Sequence, residues 1–172
     1  MRLLLTVWSI RLALLLLSLA VFARLCGVGA KVSDHGDWKA VRAIWVLGCL
    51  FALLHGFAVF GYVMHWSHQA ALEDTMQRTR QLMGVPFGGG VYFNYAFWVI
   101  WTIDATWWCG WPDRYLRRSR SWDFLVIGYL WFIAFNATVV FESGVIRWLG
   151  LAATIVIAAA GCRVLLARKQ LR

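Results

Sequence analysis

Eight residues place a polar or ionisable group within or beside a long apolar run: Arg11, His55, Asn94, Asp104, Asn136, Glu142, Arg147 and Arg163. In hydrocarbon such groups are costly and persist where they pair, bind or relay. His55 sits near the middle of the second apolar run and shares a face with Gly48 and Tyr62 at seven-residue spacing. An imidazole there could ligate haem or a metal, carry a proton, or hydrogen-bond a neighbouring helix. A b-type haem between helices wants a second imidazole at similar depth. His35 falls in a loop, and His65 and His68 fall at a run's end, so His55 is expected to be structural or substrate-facing. His65 and His68, three residues apart, would share one helical face and could begin a surface metal site with Glu73 and Asp74. No cofactor is expected; haem at His55 and a metal at His65 and His68 are the alternatives.

Asp104 lies in the inner half of the third run, beside a stripe of Asn94, Trp101 and Trp108. Buried without a partner, its carboxylate would be protonated or strongly destabilising. Arg163 of the fifth run lies at similar depth, so an Asp104–Arg163 contact is expected, with snorkelling of Arg163 to the headgroups as the alternative. Asn136 shares a face with Tyr129 and suits an interhelical hydrogen bond. Its sequon, Asn136-Ala137-Thr138, lies too deep for glycosylation. Glu142 and Arg147 flank the last hairpin and are expected to form a local ion pair. Arg11 must snorkel outward, pair with Glu142, or mark a later start of the first span. Gly150, Thr154, Ala158 and Gly161 line one stripe of the fifth run, a packing surface within the bundle or towards a partner chain.

These residues are positioned by five apolar runs, about 3–22, 43–66, 91–111, 122–141 and 145–167. Each matches the roughly 20 residues that cross a bilayer as a helix. None shows the ten-residue alternation of a barrel strand, and an unpaired backbone is not tolerated in lipid, so all five are expected to be helices. The start of the chain also has the build of a signal peptide: Met1–Arg11 as a positive flank, Leu12–Ala23 as a short apolar core, and Val28-Gly29-Ala30 as a cleavage site. We read it as a retained helix. Segment 27–39 is rich in Gly, Ser and Asp and reads as a turn. Segment 67–90 is the longest loop; its part 69–83 carries a weak amphipathic pattern that suits a short interfacial helix, ended by Val85-Pro86-Phe87-Gly88-Gly89-Gly90. Pro112 ends the third helix, and Ser143-Gly144 makes a tight hairpin that sets the last two helices antiparallel.

Composition agrees. The 172 residues are 62% hydrophobic and 15% charged, against about 45–50% and about 25% in soluble domains. The four cysteines form no CxxC pair and read as small apolar residues. The net charge of +9 is not a nucleic-acid signal, because the basic residues cluster between apolar runs. With five spans, segments 24–42, 114–120 and 163–172 fall on one side and hold twelve of the seventeen Lys and Arg. The positive-inside rule makes that side cytoplasmic, with the N-terminus outside. Trp38, Trp45, Trp107, Trp108, Trp111, Tyr115 and Trp122 are expected as an aromatic belt there, and Tyr62, Trp66, Tyr92, Tyr95 and Trp148 as the outer belt.

The sequence therefore reads as an all-α, polytopic five-helix bundle of a plasma membrane, forming one domain over 1–172. It carries no GxSxG, HExxH or Walker loop. The leading functional expectation is a non-catalytic accessory, assembly or structural subunit of a larger membrane complex. Its partners would be the bilayer, including anionic headgroups at the cytoplasmic face, and a membrane protein or a second copy. The rivals are a small transporter or proton-coupled carrier using Asp104 and His55, and the haem or metal protein described above.

Overall fold

The computed structural model describes residues 2–26 and 37–169. The turn segment 27–36, with Lys31, His35 and the cleavage motif, and Arg172 lie outside the described residues. The described chain is all-helical: α1 (Arg2–Leu25), α2 (Asp37–Tyr62), α3 (His68–Met83), α4 (Gly90–Gly110), α5 (Pro112–Leu116), α6 (Arg120–Phe135) continued by a π-helical turn (Asn136–Val140), and α7 (Gly144–Lys169). Four helical segments are long and apolar enough to cross a membrane: Leu4–Leu25, Trp38–Tyr62, Arg120–Val140 and Gly144–Arg163. The 21-residue α4, rich in Trp and Tyr and carrying Asn94 and Asp104, is not among them.

The long helices close into a ring. α1 packs on α2, α2 on α4, α4 on α6, the α6 π-turn on α7, and α7 back on α1. α1 and α2 run antiparallel, as do α2 and α4: Thr6 meets His55, and Trp45 meets Trp101 and Trp108. The core is aromatic, with Trp45, Trp101, Tyr115, Leu17, Leu130 and Val21 fully buried. Two glycines of α2 make room for it. A Cβ at Gly48 would stand 2.9 Å from Trp101 Cζ2, and one at Gly56 2.7 Å from Trp98 Cζ2. Each large ring of α4 thus fits a gap in α2, the close approach that small residues permit between packed helices.

At one end, α2 stops at Tyr62 rather than near residue 66. The chain must turn into α3, and His65 and Trp66 take up the reversal at φ of 48° and 59°, values few non-glycine residues adopt. Ser67 then caps α3, its side chain accepting from the Ala70 amide at 3.2 Å. Gly84 ends α3 in the left-handed region at φ 74°, its amide donating to the Arg80 carbonyl at 3.0 Å. Ala71 and Thr79 face inward, and α3 lies against α4.

Candidate functional site

Asp104 does not reach Arg163, which is exposed on α7. Its partners come from the stretch that follows its own helix. Pro112 cannot extend α4 but suits the first turn of a new helix, and the short α5 folds back under α4. The Tyr115 ring stacks on Trp108 at 4.5 Å between centroids and 9° between planes. That places its hydroxyl to donate to Asp104 Oδ2 at 2.7 Å. Arg118 follows, and its Nη1 forms an ion pair with Asp104 Oδ1. Both side chains of this pair are 3% exposed.

The cluster extends beyond this pair. Arg118 Nε donates to Asp123 Oδ1 at 2.7 Å. Arg24, at the end of α1, donates from Nη2 to the same Asp123 oxygen at 2.6 Å and from Nη1 to the Tyr115 hydroxyl at 2.9 Å. Aromatic faces enclose both guanidiniums. Arg24 lies 5.3 Å from the Trp45 ring centre and 5.1 Å from that of Trp108; Arg118 lies 3.9 Å from that of Tyr115. Cations over ring faces gain most when desolvated. Two arginines and two aspartates sum to zero charge, which is how buried charge is tolerated. The assembly joins α1, α2, α4, α5 and α6 at one end of the ring.

The electrostatics follow. Burial holds the Tyr115 hydroxyl well above the ordinary tyrosine range; Arg24 and Arg118 pull it down but do not cancel that effect. For Arg118, burial alone would lower the pKa, but the Tyr115 oxygen and the Asp104 and Asp123 carboxylates outweigh it and leave it raised. Both groups therefore keep their protons at neutral pH.

The other expected sites are dispersed. His55 donates from Nδ1 to the Thr6 carbonyl at 2.8 Å, tying α2 to α1. His65 and His68 do not share a helical face, because the turn separates them; the ring nitrogens of His68 lie 2.9 and 3.3 Å from the Tyr95 and Tyr92 hydroxyls. Among the described residues, no group of three or more His, Cys, Asp or Glu is placed to hold a metal ion. Asn136 bonds within its own helix, Nδ2 to the Phe132 carbonyl at 2.7 Å. The interhelical bond expected of it belongs to Tyr129, whose hydroxyl donates to the Phe93 carbonyl at 2.8 Å. Arg147 reaches the Glu142 backbone carbonyl at 2.9 Å, not its carboxylate. Arg11 and Asn94 are exposed, Arg11 with its guanidinium over the Trp8 ring. Of the small-residue stripe, Gly150 packs against the α6 π-turn, Thr154 is half-buried, Ala158 is exposed, and Gly161 borders open space.

Sequence reasoning missed Arg24, Tyr115, Arg118 and Asp123. The arginines were absorbed into the topology signal and Tyr115 into the aromatic belt. One signal was available: Asp123 follows four arginines within 114–120, a carboxylate within reach of several cations. Trp45 and Trp108, also assigned to the belt, are core.

Among the described residues, the fold and cluster define an all-helical architecture with four helices long and apolar enough to cross a membrane. Comparison of the chain with known protein families, curated proteins and solved structures found no match in any of the three.

Proposed function

We propose that the protein is a non-catalytic accessory or structural subunit of a larger membrane complex, a five-span bundle with α4 as the additional span and the charge cluster at the cytoplasmic face. The observation that carries this reading is the use made of the polar groups. Asp104 is closed in by Tyr115 and Arg118, and His55 and Asn136 bond backbone carbonyls. Two open grooves are lined by Thr102, Ile103, Thr106, Trp107 and Trp111, and by Leu5, Leu54, Phe57 and their neighbours. Neither includes Asp104 or His55. Asp104 and His55 therefore serve as ties between elements, and Asn136 is satisfied within its own helix.

Two features support the other parts of the reading. α4, at about 1.5 Å per residue, has the length of a span, and its neighbours in the ring are themselves spans. α7 is the least buried long helix: 6% of its most apolar stretch is buried, against 33% in α1 and α2. It supplies the face for a partner membrane protein or second copy. At the cluster end, Asp104 and Asp123 are neutralised internally, while Lys39, Arg114, Arg117 and Arg120 remain exposed for anionic headgroups. Native electrophoresis after extraction in a mild detergent tests the subunit reading. A band above monomer mass with a stoichiometric partner or a second copy is expected; a monomer with no partner overturns it.

A proton-coupled carrier is the second reading. It is favoured by the buried carboxylate of Asp104, which accepts from Tyr115 in a charge cluster that reaches the half-exposed Asp123. It requires proton uptake by the reconstituted protein that Asp104→Asn abolishes.

A further inference from the structure

The segment joining α3 to α4 holds apolar side chains outward on a firmly built turn. Thr79, itself buried, clasps the turn twice: its hydroxyl donates to the Phe87 carbonyl at 2.9 Å and accepts from the Phe87 amide at 3.0 Å. Gly84 makes the left-handed bend that begins it. Gly88 lies so close to α3 that a Cβ there would stand 3.0 Å from the Leu72 carbonyl oxygen. Yet Leu82, Met83, Val85 and Phe87 are 48%, 62%, 62% and 53% exposed. A turn pinned at this many points could have folded these side chains under itself. Instead it presents four of them together, which a water-facing surface rarely does.

The surroundings identify the occupant. α2 ends and α4 begins at the same end of the ring, so α3 and its turn stay at that end. There they adjoin the exposed Tyr62, Val63, Trp66, Tyr92 and Phe93, side chains of the kind that gather at a bilayer boundary. Within 68–87 the charges of Glu73 and Asp74 balance those of Arg78 and Arg80, so attraction to an anionic surface is not needed. We propose that the Leu82–Phe87 turn is a wedge seated in the headgroup and upper acyl region of the bilayer, with the Thr79 clasp holding it in register. This rests on the reading that α2 and α4 both span.

The test uses the whole protein in phosphatidylcholine vesicles, with exposed Cys26, Cys109 and Cys162 replaced by alanine. Nitroxides are placed singly at Val85, Phe87, Gln77 and Val99, and their collisions with oxygen and with a water-soluble nickel chelate are compared. The wedge requires Val85 and Phe87 to favour oxygen and Gln77 to favour nickel. Thr79→Val should shift the Val85 label towards nickel several-fold. Nickel-dominated collisions at Val85 and Phe87 overturn the proposal, as does shelter from both reagents, which would mean a protein covers the turn. Val99, exposed midway along α4, separates the two readings: oxygen-dominated at Val99 with nickel-dominated at Val85 removes the wedge alone, and nickel-dominated at Val99 removes the span.

Discussion

Asp104 and Arg118 are each 3% exposed and each depends on the other. Removing one partner of a buried pair leaves an uncompensated charge, at a cost of about 3–5 kcal/mol. Asp104→Asn and Arg118→Met should therefore each lower the unfolding midpoint in detergent substantially. The double variant should lose about 0.5–3 kcal/mol less than the two single losses added, the range over which contacting residues couple. Strict additivity would show that the pair does not act as a unit. Asp104 was visible in the sequence as a residue in need of a cation, because a lone carboxylate in an apolar run stands out. Its partner was not visible. Arg118 lies 14 residues on, and only the fold-back of α5 beneath α4 brings it to the carboxylate. Helical spacing describes residues on one helix and carries no information about a chain that reverses.

At the scale of elements, the hairpin between α6 and α7 is closed by a near approach of the π-turn to Gly150. A Cβ at Gly150 would meet Thr138 Oγ1 and stand 2.6 Å from Thr138 Cβ, an atom that side-chain rotation cannot move away. Gly150→Ala should destabilise by about 1–3 kcal/mol, the usual cost of overpacking. Thr138→Gly in the same chain should restore part of the loss. Equal stability of Gly150→Ala and the parent would contradict the close approach. Element boundaries were largely legible because long apolar runs and Pro112 state them directly. The sequence placed runs at about 91–111 and 145–167, where α4 (Gly90–Gly110) and α7 (Gly144–Lys169) stand. The end of α2 was not legible. Val63 to Trp66 continue the apolar run, and only the need to cap α3 at Ser67 stops the helix at Tyr62. Gly48 read only as sharing a face with His55 and Tyr62, and Gly56 gave no signal; that they are gaps for Trp101 and Trp98 required the second helix.

At the scale of the molecule, the arrangement is a ring of five long helices whose two ends differ in kind. One end carries the neutral charge cluster under a rim of exposed basic side chains, and the other carries α3 and its apolar turn. Composition foretold the difference only as charge: the basic excess marked one side, but the two arginines at the centre of the cluster were counted with those at the rim. The central claim is that α4 crosses the membrane and so puts these ends on opposite faces. Cysteines introduced singly at Gln77 on α3 and at Arg117 beyond α5 test it most directly, through labelling by a membrane-impermeant maleimide in intact cells, scored above the native-cysteine background. The account predicts labelling at residue 77 from outside, and at residue 117 only after permeabilisation. Labelling of both positions from the same side would contradict it.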